Sequence, residues 1–131
     1  MSSIRVESPF DGKVLGEITL ANETDIDLAL DLAREVYENQ KMWLPKYERI
    51  AILERTALIM SSRIEELTLI AASEGGKPYM DSKVEVERAI NGVKLAIEHM
   101  GVFEGKEIAM GHTASSANRI AYTMKEPIGV V

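Results

Sequence analysis

The sequence contains no cysteine among its 131 residues. This absence excludes disulfide bridges, thiolate metal sites and a cysteine nucleophile within these residues. No apolar run approaches the roughly 18–20 residues that cross a bilayer. The first ten residues, MSSIRVESPF, lack the basic start and apolar core of a signal peptide. We therefore expect a cytoplasmic protein that makes no membrane contact.

Sequence motifs and charge clusters are also scarce. The chain has 15 basic and 21 acidic residues, a net charge of −6, and no cluster of Lys and Arg. A nucleic-acid partner is therefore not expected. The glycine patterns of dinucleotide-binding and phosphate-binding loops are missing, as is the G-x-S-x-G serine motif. No catalytic or cofactor-binding residue is predicted from local patterns.

The clearest periodicity lies in one long segment, residues 45–78. Its apolar residues recur at alternating steps of three and four, the period of a helix. The predicted helix has roughly 28 residues and would span about 40 Å, so we expect it to form a central strut of the fold. It should end at residues 75–78, Gly-Gly-Lys-Pro, because glycine adopts the C-cap conformation and proline cannot continue a helix. The stripe comprises Ile50, Leu53, Ala57, Met60, Ile64, Leu67 and Ala71.

Two further helices flank this strut. The first is predicted from Thr24 to about Gln40, with Thr24 and Asp27 as an approximate capping box. The other is predicted from Ser82 to Gly101, with Ser82 and Glu85 as its capping box. Trp43, the only tryptophan, lies between the first two helices. It is interpreted as a core anchor at that corner, with ligand stacking as the alternative.

Both ends of the chain predict strands. Residues 4–7 and 14–20 flank the turn residues 8–13 and predict an N-terminal β-hairpin. Residues 119–126 alternate apolar and polar side chains and predict another strand. Residues 128–131 are apolar and are typical of the first strand of a buried parallel sheet, with an edge strand as the alternative. The predicted fold is an α/β fragment with a hairpin, three amphipathic helices and two strands.

One residue stands out as a candidate ligand. Glu74 lies beside the Gly75-Gly76 break, where helix carbonyls are exposed. A carboxylate beside free carbonyls suits a hard cation, although an ordinary surface glutamate is the alternative. His99 and His112 have no second ligand at a metal-like spacing. The other carboxylates, such as Glu65, have spacings typical of solvated helix faces.

The ordered set of motifs resembles the N-terminal region of the aldehyde dehydrogenase superfamily. Ser-Pro-Phe-Asp-Gly at 8–12 precedes the first helix, and Trp43 and Arg49 follow it. Glu-Gly-Gly-Lys-Pro at 74–78 then precedes Glu85-Val86. Tyr-Thr-Met-Lys-Glu-Pro-Ile-Gly-Val-Val at 122–131 completes a match over essentially the whole chain.

The resemblance implies what a complete enzyme would contain. The family oxidises aldehydes to acids with NAD or NADP, using a cysteine nucleophile and a glutamate that activates water. These groups follow the matched region, so residues 1–131 would be the N-terminal part of the cofactor-binding domain and should be inactive alone. They are expected to bind no cofactor alone. Residues 119–126 would be the oligomerisation arm, and Glu74 matches the position near a monovalent cation in some members.

Two hypotheses follow about the role of the chain. The first is an N-terminal piece of an NAD(P)-dependent aldehyde dehydrogenase that needs the remainder of the enzyme for activity. The second is a stand-alone helical module that self-associates through residues 119–131 without catalysis. Both predict a homo-oligomer, because large uncovered apolar faces favour association.

Overall fold

A computed structural model describes residues 2–131 as four α-helices with two small antiparallel sheets. The predicted α/β fragment is confirmed in these terms, but with four helices instead of three. A 3-10 turn follows α1 at Gln40–Met42, and another follows α4 at Met100–Val102. The elements are β1 (Ser3–Glu7), β2 (Val14–Thr19), α1 (Glu23–Glu38), α2 (Lys46–Ser62), α3 (Ile64–Gly75), α4 (Tyr79–His99), β3 (Glu107–Ile108) and β4 (Ala121–Tyr122).

The N-terminal hairpin is formed by β1 and β2, as predicted. The strands pair antiparallel, with Ile4 opposite Ile18. Two backbone hydrogen bonds of 2.8 Å close the turn, one from Ser8 N to the Lys13 carbonyl and one from Gly12 N to the Ser8 carbonyl. Gly12 adopts a φ of 71°, a left-handed conformation in which glycine carries no Cβ penalty.

The start of α1 differs from the prediction. Asn22 caps the helix, and its side chain accepts a hydrogen bond of 3.0 Å from the backbone N–H of Asp25. The Asp25 carboxylate accepts one of 2.9 Å from the backbone N–H of Asn22. The predicted box at Thr24 and Asp27 is wrong, because Asn is at least as good a cap as Thr and Asp25 stands at the reciprocal position.

The predicted single strut is also wrong, because it breaks into α2 and α3 at Arg63. The Arg63 backbone has φ −117° and ψ 22°, outside the helical range. The Ser61 and Ser62 hydroxyls donate to the Ala57 and Ile59 carbonyls at 2.7 and 2.8 Å. Such back-bonding competes with the helical ladder and bends helices. The apolar period continues across the break, so it could not reveal the bend.

The helix α4 begins earlier than predicted. Pro78 precedes its first residue, Tyr79, and no side chain caps the end. The predicted box at Ser82 and Glu85 is wrong, since Ser82 is fully buried and Glu85 binds Lys77 instead. Pro78 is the N-cap residue, and α4 starts directly after it because proline cannot lie in a helix interior.

The core lies where α4 packs against both α2 and α3. Ala57, Val86 and Ile90 are buried there, together with the hydroxyl residues Thr68 and Ser82. The other residues of the predicted stripe on α2 and α3 are half-buried. The apolar residues outside it, Ile52, Ile59 and Ile70, remain exposed.

The C-terminal segment contains less strand than predicted. Of residues 119–126, only β4 is a strand, and it pairs antiparallel with β3, which the sequence did not predict. Residues 128–131 form no strand. Within residues 2–131 they have no neighbouring strand to pair with, and a strand requires such a partner for its backbone groups.

The accessible surface is large for the size of the chain. It measures 10,901 Å². A compact monomer of 14.5 kDa should expose about 6,900 Å², so the excess is about 4,000 Å². These residues therefore leave faces uncovered that a self-contained domain would bury. Separately, no helix within residues 2–131 is long and apolar enough to cross a bilayer.

Candidate functional site

The predicted ligand Glu74 lies in the last turn of α3 and is exposed. Two residues later, Gly76 ends the helix in a left-handed conformation with φ 60°. Within residues 2–131, no three His, Asp or Glu side chains come close enough to share a metal ion. Any cation at Glu74 would therefore depend on carbonyl oxygens, as the sequence also implied.

The N-terminal hairpin docks on the turn between α3 and α4. A Cβ placed on Gly76 would lie 2.7 Å from Pro9 Cγ, so the two segments are in close contact. Ser8 is buried beside this contact. A shallow cavity of about 460 Å³ opens here, and Phe10, Asp11, Ser73 and Lys77 are among its lining residues. The docking places the turn between β1 and β2 next to the helix end that carries Glu74.

Charged groups stabilise both sides of this docked turn. The Lys77 ammonium donates to both Glu85 carboxylate oxygens, at 2.7 and 3.0 Å. On the hairpin, the Asp11 carboxylate accepts hydrogen bonds from the Ser8 hydroxyl and from the Lys13 backbone N–H. These two bonds, that of Ser8 more strongly, lower the pKa of Asp11. Asp11 therefore stays ionised at neutral pH.

A second polar network joins α3 to α4. Tyr79 donates its hydroxyl proton to Glu65, and Lys83 donates to the same carboxylate at 3.0 Å. These bonds, Tyr79 first, lower the pKa of Glu65. The pKa values of Tyr79 and Lys83 are raised, chiefly by the same bonds. The sequence interpretation of Glu65 as a solvated residue missed this role, although the spacing of Tyr79 and Lys83 already places those two on one helix face.

An apolar groove of about 980 Å³ lies between the end of α1, the end of α4 and the C-terminal segment. Trp43 forms part of its wall. The indole N–H donates to the carbonyls of Val36 and Tyr37 at 3.2 and 3.1 Å, and the ring stacks on Tyr37 with centroids 6.0 Å apart. Trp43 is half-buried. It therefore anchors the turn after α1 beside the groove, away from the core of α2, α3 and α4.

Three cationic side chains also line this groove, Lys46, Arg49 and Lys125. Within residues 2–131 none of the three forms an ion pair. Among the described residues of the lining, Glu126 is the one acidic side chain, and it forms no ion pair within residues 2–131. The groove thus combines an apolar surface with a local positive charge, on a chain whose net charge is −6.

The described residues lack two features that many dinucleotide sites share. Such sites in α/β proteins use a parallel sheet and a glycine-rich loop at a helix N-terminus. In residues 2–131 both sheets are antiparallel pairs, and the sequence lacks the glycine fingerprint.

Comparison with known proteins identifies the family to which this fold belongs. The model of the aldehyde dehydrogenase family matches residues 1–131. The 3-sulfolactaldehyde dehydrogenase of Priestia megaterium is 34% identical over 115 residues, which are 88% of this chain and 24% of that protein.

Solved structures agree with this match. Aldehyde dehydrogenase 21 from Physcomitrella patens, in complex with the product succinate, superposes with a TM-score of 0.80 and 28% identity, over 88% of this chain and 24% of that one. Glyceraldehyde-3-phosphate dehydrogenase GapN from Methanocaldococcus jannaschii, complexed with NADP, gives 0.75 and 30%, over 82% and 24%.

The fold is thus that of the N-terminal region of the aldehyde dehydrogenases on which it superposes. The chain belongs to the aldehyde dehydrogenase family, and it matches an N-terminal portion of it. It spans about a quarter of the length of the relatives it matches.

Proposed function

We propose that these residues are a scaffold portion of an NAD(P)-dependent aldehyde dehydrogenase that oxidises an aldehyde to a carboxylic acid. They would form the N-terminal part of its cofactor-binding domain. The family match over the whole chain is the observation that carries this proposal. The nucleophilic cysteine is absent from these residues, so it must come from other polypeptide.

The direct test is an assay of NADH or NADPH formation. The purified chain, given 3-sulfolactaldehyde or glyceraldehyde 3-phosphate with either cofactor, should show no turnover above the buffer blank. Adding a polypeptide that carries the other three-quarters of a relative should restore activity. Turnover by the 131 residues alone would overturn the proposal.

The arm and the partner are part of the same proposal. Residues 119–126, of which β4 is the ordered strand, would pair with a neighbouring subunit by strand addition. Ile120 and Tyr122 are 90% and 66% exposed, which leaves apolar side chains free for such a partner. Substituting Tyr122 by Asp should then weaken the homo-oligomer of the complete enzyme in sedimentation equilibrium, and an unchanged oligomer would count against the arm.

Glu74 is proposed to contribute one carboxylate to a monovalent cation site in the complete enzyme. Its position at the end of α3 beside a left-handed Gly76 supports this role. Potassium chloride, compared with choline chloride, should raise the melting temperature of the enzyme. Glu74→Gln should abolish that rise. Glu98→Gln, at another exposed last-turn glutamate, should leave it intact.

A second candidate function is a non-catalytic module that self-associates. The observation that favours it is the excess accessible surface of about 4,000 Å². It predicts a stable oligomer of the isolated chain, and a chain that stays monomeric at high concentration would exclude it.

A further inference from the structure

One Asn-Gly pair, Asn91 and Gly92, lies in the interior of α4. It is the only Asn-Gly pair in the sequence. Glycine weakens a helix interior because it loses more backbone freedom on folding than any other residue. No packing contact requires a glycine here, since a Cβ built on Gly92 would have no atom within 4 Å. The fold therefore does not account for this pair.

An Asn-Gly pair can modify itself without a cofactor. The backbone nitrogen of Gly92 attacks Cγ of the Asn91 side-chain amide. The N–Cγ bond forms, the Cγ–Nδ2 bond breaks, and the side-chain nitrogen leaves as ammonia with the proton that the backbone nitrogen loses. Water then opens the succinimide at either carbonyl, which gives aspartate or isoaspartate. Glycine favours the attack because it has no side chain to crowd its nitrogen.

The folded helix blocks this reaction through its backbone geometry. Ring closure requires the ψ angle of Asn91 to turn until the Gly92 nitrogen faces Cγ, whereas a helix holds ψ at about −42°. The Gly92 N–H also belongs to the ladder of α4, in which each N–H donates to the carbonyl four residues earlier. Both residues are exposed, so burial does not protect them. Protection depends on α4 staying folded.

The pair lies where the packing of α4 ends. The buried residues of α4 are Ser82, Val86 and Ile90, and all three precede Asn91. From residue 92 to residue 99 no side chain is buried within the described part of the chain. Segments with few buried contacts open at a lower free energy than the core. The second half of α4 can therefore open and free the pair while the packed first half stays folded.

The other candidate positions are less reactive. Asp11-Gly12 is the one Asp-Gly pair, but hydrogen bonds keep the Asp11 carboxylate ionised, and an ionised carboxylate resists attack by a nitrogen. The other asparagines are each followed by a residue larger than glycine, and they are Asn22, Asn39 and Asn118.

We propose that Asn91 is a spontaneous modification site, protected while α4 is folded and deamidated when α4 opens. Isoaspartate lengthens the main chain by one atom, so the helical ladder cannot re-form across it. Modification thus converts a reversible opening of α4 into an irreversible one. The reaction needs only Asn91, Gly92 and water, and it is independent of any dehydrogenase activity.

Peptide mapping by mass spectrometry, after incubation at mildly alkaline pH, tests the site. In concentrated urea, where α4 is unfolded, Asn91 should deamidate faster than every other asparagine in the same sample. In buffer its rate should fall by roughly tenfold or more, which corresponds to an opening free energy of at least about 1.4 kcal/mol. Hydrogen exchange of the amides in residues 92–99 should be slowed by a similar factor. Equal rates in urea and buffer, or a faster reaction at another asparagine, would overturn the proposal.

Two matched glycine variants separate the chemistry from the stability of α4. Gly92→Ala adds a methyl group to the attacking residue and should slow the reaction severalfold even in urea, where helix stability has no influence. Gly101→Ala is the control, because its Cβ also has no atom within 4 Å, and it should leave the rate in urea unchanged. If Gly92→Ala reacts in urea as fast as the unchanged chain, the Gly92 nitrogen is not the attacking group and the proposal is wrong.

The consequence for α4 is measured on aged protein. Chains modified at Asn91 carry an added negative charge and can be separated by ion exchange. They should melt at a lower temperature and show weaker helical circular dichroism than unmodified chains. Asn91→Gln chains of the same age should keep both properties, because the longer side chain closes its ring far more slowly. Modified chains that melt like unmodified ones would contradict the irreversible opening of α4.

Discussion

At the scale of single residues, two buried hydroxyls have no hydrogen-bond partner. Thr68 and Ser82 are fully buried between α3 and α4, and neither side-chain oxygen is bonded. Other helical hydroxyls do bond, as Thr56 donates to the Ile52 carbonyl at 2.8 Å. A buried polar group without a partner costs about 1–3 kcal/mol. The small size of these two side chains therefore suits the packing between the helices, and their hydroxyl groups form no stabilising hydrogen bond.

This contrast predicts opposite effects for two equal substitutions. Thr68→Val should raise the free energy of unfolding by about 1 kcal/mol, because it removes an unsatisfied hydroxyl and keeps the shape. Thr56→Val removes a hydrogen bond that the structure contains, at a half-buried site. It should lower the free energy of unfolding slightly. Urea unfolding followed by circular dichroism measures both. A loss of stability in Thr68→Val would contradict the assignment.

The network around Glu65 predicts a pH dependence. The pKa of Glu65 is lowered from its ordinary 4.5, so its stabilising effect is present above that value and is lost as pH falls through the lower folded-state pKa. The pKa of Lys83 is raised from 10.5, and its contribution is lost only as pH rises above that range. Tyr79→Phe should therefore lower the melting temperature at neutral pH and have less effect in strong acid.

The matched control is Tyr47→Phe. Tyr47 also donates to a carboxylate, that of its neighbour Glu48 at 3.0 Å, but it is 70% exposed and joins no two helices. Its loss should change the melting temperature little at any pH. A Tyr79→Phe effect that is the same at neutral and acid pH would show that the ring matters and the ionised network does not.

At the scale of elements, the turn between α3 and α4 depends on one glycine. Gly76→Ala forces a left-handed conformation and brings Cβ to 2.7 Å from Pro9 Cγ, so it should cost about 1–2 kcal/mol or more. Gly75→Ala is the control. That residue is helical and its Cβ would meet only the flexible Lys77 side chain, at 3.5 Å or beyond. It should be neutral or stabilise by up to about 1 kcal/mol. Equal losses would refute the docking of the hairpin.

The two-stranded sheet of β3 and β4 depends on another glycine. A Cβ on Gly105 would overlap the Thr123 carbonyl oxygen, next to the bond of 2.9 Å from Thr123 N to the Lys106 carbonyl. Gly105→Ala should therefore abolish hydrogen-exchange protection at Thr123 while leaving α4 protected. Gly101→Ala, with no atom within 4 Å of its Cβ, should leave that protection in place. Persistent protection in Gly105→Ala would contradict the pairing.

The elements also show how far sequence reasoning reaches. Helical periodicity located the buried face, as Ala57, Val86 and Ile90 show. It could not find the break at Arg63, because the apolar period continues across the break. The two-residue strand β3 was missed because so short a strand has no periodicity of its own. Its order comes from pairing with β4.

The candidate site was predictable only in part. Glu74 was predicted as a ligand because it precedes a Gly-Gly-Lys-Pro break, and the structure places that break at a helix end. Its binding of a cation stays a prediction. The groove and its three cations were not predicted. Lys46 and Arg49 begin α2 while Lys125 follows β4, and only the tertiary fold brings them to one surface.

At the scale of the whole molecule, the main feature is an accessible surface that is large for the mass of the chain. The chain exposes 10,901 Å², about 4,000 Å² more than a compact protein of its mass. An uncovered surface of this extent, which includes many large apolar side chains, is typical of one side of a large permanent interface. The family match over residues 1–131 supports the proposal that further dehydrogenase polypeptide covers this surface.

The nucleotide sequence beyond codon 131 tests the central proposal, that these residues are the scaffold of a dehydrogenase whose catalytic groups lie elsewhere. The proposal predicts an open frame that continues into an asparagine-containing loop and then a cysteine. A frame that continues to the length of the relatives without a cysteine would contradict it.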